Sequence, residues 1–199
     1  MSVATPYFDQ LFAGNDDPWA FRQRWYEQRK RALTLAALTR PRYASIFEPG
    51  CANGELSAAL AVRCDQLLCC DTASAAVALA ENRLLDFPHA TVQQRRLPEQ
   101  WPTGPFDLIV LSELCYYLDA EDLHRLIDCA LASLTDEGQV LACHWRPTIE
   151  GCPQSAEQVH ALLEQRLGLA HVVEHHEDDF LLDLWSRDGT SVATHEGLR

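Results

Sequence analysis

Apolar residues along the chain gather into short runs separated by stretches with helical spacing. The run at 44–48 is followed by Leu56 and Leu60 one turn apart, which predicts a helix over 55–63. Gln66–Asp71 is a second strand, followed by an alanine-rich helix that ends near Phe87-Pro88, and 90–95 is a third. The loop 97–105 carries Pro98, Pro102 and Pro105 and is too rich in proline to be regular. Phe106–Ser112 is almost continuously apolar, as a strand covered on both faces should be. Asp119 is placed to cap a helix over 120–134, where Leu123, Leu126, Ile127 and Leu131 recur at helical spacing. A fifth strand covers 139–145, and a helix covers about 154–167. Two further runs, 169–176 and 179–186, are parted only by Glu177-Asp178 and should pair as an antiparallel hairpin. Ahead of all this, Asp17-Pro18 has the form of an N-cap and first helical position, predicting a helix that runs to about Leu38. Alternating βα units closed by a hairpin predict an α/β, doubly wound fold: a mostly parallel seven-stranded sheet with a C-terminal antiparallel hairpin. With no internal repeat or linker, 1–199 is expected to be one domain, with 1–40 as an N-terminal helical lid.

The first strand stops at Glu48, and Pro49-Gly50-Cys51-Ala52-Asn53-Gly54 then turns the chain into a helix; Asp71 closes the second strand. This is the layout of a nucleotide-type cofactor site. Gly50 and Gly54 permit a sharp turn and a close ligand approach, and Asp71 is positioned to accept both hydroxyls of a ribose. A dinucleotide site wants Gly-x-Gly-x-x-Gly against the pyrophosphate. Here the spacing is Gly-x-x-x-Gly, and the carboxylate of Glu48 would repel a pyrophosphate. A ligand with a ribose and a cationic end fits better, which points to S-adenosylmethionine.

The net charge of −13 opposes a nucleic-acid surface. No apolar run reaches the roughly 20 residues of a membrane span, and the N-terminus lacks the basic and apolar stretches of a secretory signal. The 8 cysteines are scattered through strands and helices without a Cys-x-x-Cys, so reduced, buried thiols in a cytoplasmic protein are expected. Against the acidic background, 7 of the 16 basic residues (Arg22, Arg24, Arg29, Lys30, Arg31, Arg40 and Arg42) lie between 22 and 42. They form either a solvated helix face or a group that reaches over the cofactor. His171 and His175 share one face of an extended strand but lie about 13 Å apart at roughly 3.3 Å per residue, too far to share a metal ion.

The segment Asp17-Pro-Trp-Ala-Phe-Arg-Gln-Arg-Trp25-Tyr26-Glu27-Gln28-Arg29-Lys30-Arg31, the Glu48-Pro49-Gly50-Cys51 turn, Leu111-Ser112-Glu113-Leu-Cys-Tyr116-Tyr117-Leu118 and His144-Trp145-Arg146 together resemble the nodulation protein S (NodS-like) methyltransferases over residues 7–185. The order of elements fits the class I methyltransferase fold, which is Rossmann-like. The resemblance implies S-adenosylmethionine-dependent methyl transfer, with N-methylation of an amino sugar on a deacetylated chito-oligosaccharide as the family's activity. It departs from the general class I pattern at Ala52, which stands at the usual middle glycine. It departs again after the third strand, where Arg96 and Leu97 replace an acidic residue and leave the adenine to a backbone contact at Leu97.

These readings assign the cofactor to Gly50, Gly54, Asp71, Leu97 and Ser112, the last through its backbone carbonyl, with Glu48 holding the loop or an arginine from beneath. Trp25, Tyr26 and Arg29 are expected on the helix that covers the cofactor, since nothing in the core sheet accounts for so dense an aromatic and basic cluster. Glu113, Tyr117 and His144, at the ends of two strands beside Tyr116, are the expected catalytic residues bordering the acceptor. Because a sulfonium donor supplies the reactivity, the protein chiefly aligns the partners, excludes water and removes a proton. The expected partner is a small-molecule or oligosaccharide acceptor, with the protein a monomer or weak homodimer. Two alternatives stay open: an O-methyltransferase acting on a small metabolite, and a non-catalytic S-adenosylmethionine-binding subunit. Retention of both glycines, Asp71 and the N-terminal cluster argues against the second.

Overall fold

Phe106–Ser112 (β4) lies at the middle of the sheet, and its side chains alternate between two apolar layers. The computed structural model describes residues 1–199. Leu108 and Val110 join one layer with Leu38, Leu60 and Ala80, while Ile109 and Leu111 join the other with Leu123, Leu126 and Leu163. Both faces of the strand are thus covered, which accounts for its unbroken apolar sequence.

The remaining strands are Tyr43–Pro49 (β1), Cys64–Asp71 (β2), Ala90–Gln94 (β3), Leu134–Trp145 (β5), Ala170–His176 (β6) and Phe180–Ser186 (β7). The sheet has 7 strands in the order β3-β2-β1-β4-β5-β7-β6. The first five strands run parallel to one another, and β7 runs antiparallel to both β5 and β6. The chain reverses its direction of travel across the sheet between β1 and β4. That is the switch point at which α/β folds open a crevice for ligands.

The helices are Thr5–Phe12 (α1), Trp25–Ala37 (α2), Glu55–Ala61 (α3), Ser74–Arg83 (α4), Ala120–Ser133 (α5), Ala156–Leu167 (α6) and the short Val192–His195 (α7). The Asp119 carboxylate accepts from the Asp122 N–H at 3.0 Å and caps α5, as its position suggested. Ser155 and Gln158 form a capping box that starts α6, and Gly168, at φ 61°, ends it. All 8 cysteines are free. No helix is long and apolar enough to cross a membrane.

The N-terminal region differs from expectation. Asp17 caps only a single turn, accepting from the N–H groups of Phe21 (2.8 Å) and Arg22 (3.1 Å). Ala20 at φ 58° then breaks the path, and the helix proper begins at Trp25. The unforeseen α1 has no side-chain cap and only 8 residues, so Pro6 in its first turn is its main local signal. It lies against α4, where Phe12 packs with Ala73 and Ala76. Strand β5 also begins earlier than expected, with its register to β4 interrupted between Phe106 and Leu108. A similar irregularity between His171 and Val173 shifts the alternation of β6. His171 and His176, rather than His171 and His175, therefore share a partner, the buried Asp183 of β7.

Gly54, the N-cap of α3, has φ 80°, and a Cβ there would come within 3.0 Å of the Ala80 Cα of α4. Gly54→Ala should therefore cost roughly 1–3 kcal/mol, from the left-handed backbone together with a clash that no rotamer relieves. Urea unfolding of the two proteins checks this; equal midpoints would mean that α4 gives way easily.

Candidate active site

The carboxyl ends of β1, β2 and β4 border a cavity of about 510 Å³. Gly50 reaches its floor at φ 74°, tied down by its N–H to the Cys70 carbonyl at 2.7 Å. Ala52 follows at φ 48°, so the position usually held by glycine is left-handed even with a side chain. Asp71 is fixed by the N–H groups of Ala52 (3.0 Å) and Ala73 (2.9 Å), one on each oxygen. Burial raises its carboxyl above the ordinary value, and those N–H groups oppose the rise. Each oxygen keeps a further acceptor position, the chemistry a ribose diol requires. Leu97 lines the same cavity from the loop after β3.

Gly54 does not line this cavity; its conformation serves the packing of α3 on α4 described above. Glu48 lies beneath the turn at 2% exposure, where it borders a recess of about 60 Å³ shared with Ser112 and Gly50. No arginine pairs with it; the Cys69 thiol donates to it at 3.6 Å.

Segment 1–24 closes the other side of the cavity. The Val3 N–H donates to the Tyr117 carbonyl at 2.8 Å, and the hydroxyls of Thr5 and Thr72 lie 2.8 Å apart. The Phe8 ring meets Tyr117 edge-on at 5.0 Å, and Trp19 meets Phe12 at 5.7 Å. Helix α2 turns Tyr26, Glu27 and Lys30 toward the cavity. Trp25 faces solvent at 73% exposure, and Arg29 faces away to form a two-point ion pair with Glu177 at 2.6 and 2.7 Å. Of the three residues expected to cover the cofactor, only Tyr26 lines the cavity. Helical geometry was the missed signal: Tyr26, Lys30 and the buried Thr34 recur every four residues along one face, and Trp25 and Arg29 lie along the next.

Lys30 is 6% exposed, and its ammonium meets Glu113 at 2.7 Å and Glu27 at 3.1 Å. Burial would push this ammonium down, but the two carboxylates carry it above its ordinary value. Glu113, at φ 54°, also accepts from the Tyr116 hydroxyl (2.5 Å) and the Trp145 N–H (3.0 Å). Tyr117 lines the cavity beside it, with burial raising its hydroxyl.

His144 is placed otherwise than expected. It is fully buried and does not line the cavity. Its Nε2 accepts from the Cys115 N–H at 3.2 Å, which leaves Nδ1–H to donate to His160 Nε2 at 3.0 Å. His160 in turn donates from Nδ1 to Asp183 at 2.5 Å. Burial, followed by His160, holds His144 well below the ordinary imidazole value. A neutral ring with both nitrogens engaged fixes the loop after β4 and has no capacity to take a proton from the cavity.

A profile of the family described as Nodulation protein S (NodS) matches residues 10–176. The nodulation protein S of Bradyrhizobium diazoefficiens is 30% identical over 157 residues, covering 76% of this chain and 75% of that protein. The crystal structure of N-methyltransferase NodS from Bradyrhizobium japonicum WM9 with S-adenosyl-L-homocysteine matches at TM-score 0.82 and 25% identity, over 92% of this chain and 97% of the other. A protein from Pseudomonas syringae described as a methyltransferase is 67% identical, with TM-score 0.75, over 82% of this chain and 99% of that one. The reversed seventh strand, the glycine turn and the strand-end carboxylate, together with these likenesses, define a class I methyltransferase that uses S-adenosylmethionine as methyl donor. Within that class, the chain belongs to the nodulation protein S family.

Burial pushes the Glu48 carboxyl from 4.5 up to about 7. The folded state therefore holds this proton more tightly than the unfolded state does. The resulting cost is absent below the unfolded value and grows, at roughly 1.4 kcal/mol per pH unit, until the folded carboxyl has ionised. Glu48→Gln should gain thermal stability over the native protein as pH rises from 5 to 8, without cofactor. A difference independent of pH would show that Glu48 titrates as an exposed residue.

Proposed function

We propose that the enzyme transfers a methyl group to the nitrogen of an amino sugar in an oligosaccharide-type acceptor. The observation that carries this reading is the acceptor end of the cavity, where Glu27, Glu113 and Asp179 stand among Tyr116, Tyr117 and Trp145. Carboxylates draw in a cationic amine, and aromatic faces pack against the apolar faces of a sugar ring. The likeness to the N-methyltransferase NodS of Bradyrhizobium japonicum supports the choice of nitrogen.

In this reading Asp71 holds the ribose hydroxyls of S-adenosylmethionine, Gly50 and Leu97 border its nucleoside, and the Ser112 backbone receives its ammonium group. When bound, the donor supplies an electrophilic methyl on a sulfonium. Tyr26 and segment 1–12 cover the cofactor as a lid and exclude water from the cavity. Glu113 orients the acceptor: Lys30, Tyr116 and Trp145 fix its direction. Tyr117 walls the acceptor on the side of segment 1–12.

Asp71→Ala should weaken S-adenosylhomocysteine binding by roughly 1.5–3 kcal/mol, the range for hydrogen bonds to a charged group. Calorimetry on the folded variant checks this, and unchanged affinity would remove Asp71 from the site. Methyl transfer should occur to deacetylated chito-oligosaccharides and not to matched N-acetylated ones. Methylation of the acetylated compounds alone would overturn the nitrogen assignment and favour a hydroxyl acceptor.

A further inference from the structure

Two carboxylates reach the acceptor end from opposite sides, Glu113 from the end of β4 and Glu27 from the first turn of α2. They differ in what they have left to offer. Glu113 accepts from Lys30 on Oε1 and from both Tyr116 and Trp145 on Oε2. A proton added there would compete with donors already in place and leave one without an acceptor. Glu27 has one partner, Lys30, at Oε2. Its other oxygen receives no hydrogen bond from the protein, and the side chain borders the cavity. His144, the remaining nitrogen base of this region, is sealed behind the wall with both ring nitrogens engaged.

We propose that Glu27 is a catalytic residue that takes the proton from the acceptor amine. This rests on the amine-acceptor reading above. The nitrogen lone pair forms the new bond to the methyl carbon as the carbon–sulfur pair returns to sulfur. The proton that the acceptor ammonium must lose passes to Glu27 Oε1 and on to solvent. The charged groups about Glu27 are Lys30 and Arg31 on its own helix, Arg24 just before it, Glu113 from β4 and Asp179 from the turn between β6 and β7. Burial raises the Glu27 carboxyl above its ordinary value, with Lys30 opposing, which makes it a better match for an amine proton than an exposed glutamate. Lys30 also keeps Glu113 as a second partner when Glu27 becomes neutral, so the ammonium is not stranded.

Glu27→Gln keeps the shape and removes the base. Turnover of deacetylated chito-oligosaccharide should fall about 10²–10⁴-fold, and the acid limb of the kcat profile should disappear. S-adenosylhomocysteine affinity, read by calorimetry, should stay near that of the native enzyme. Glu27→Asp should keep an acid limb, because the carboxylate is retained, and this second variant serves if the first does not fold. Native-like turnover in the Gln variant, or loss of cofactor affinity with turnover retained at saturation, overturns the proposal; the latter would mean that Glu27 binds the cofactor's ammonium. A native enzyme inactive on every amine would instead remove the amine reading itself, which distinguishes the two failures.

Discussion

The buried ammonium of Lys30 is the interaction on which the site's arrangement depends. It joins α2, an element outside the sheet, to the end of β4 at the switch point. A lone buried cation would carry a large desolvation cost, which here is offset by the carboxylates of Glu27 and Glu113. Glu113 passes the constraint onward to Tyr116 and to the backbone of Trp145 at the end of β5. Helix, central strand and neighbouring strand are therefore registered to one another by a single charged cluster. The positive φ of Glu113 is tolerated where three donors hold its side chain.

On the opposite side of that loop, a second polar chain acts from behind the cavity wall. Asp183, His160 and His144 transmit position from β7 to the Cys115 N–H through tautomers that each neighbour fixes. Burial pushes Asp183 up, but hydrogen bonds from His160, His171 and His176 hold it below the ordinary carboxylate value. The loop carrying Tyr116 and Tyr117 is thus gripped from two directions, by Glu113 within the cavity and by His144 behind it.

Much of this architecture could be read from pattern. The β4 boundaries, the Asp119 cap and the hairpin are local signals, each decided by residues within a few positions. Asp71 was equally legible, because a strand end fixes where its last side chain goes. Gly54 was not: its neighbour Ala80 is distant in sequence, and a glycine that admits a ligand looks the same as one that admits a helix. His144 was misjudged for a related reason. Strand-end position gave its location, but His160 and Asp183, which occupy its ring, come from later elements. Residue type singles out Trp25 and Arg29, whereas the rotation of α2 decides which side chains face inward.

The placement of β7 between β5 and β6 has a consequence for how the chain is completed. Strand β6 has no other neighbour in the sheet, so it is held there only through β7. The last long strand in sequence is therefore a keystone rather than an edge. Without β7, β5 presents an edge of unpaired N–H and C=O groups, and His144 lacks the anchor that Asp183 provides through His160. Every residue that lines the cavity has appeared by Asp179, whereas the carboxylate that anchors His144 through His160 follows only at Asp183.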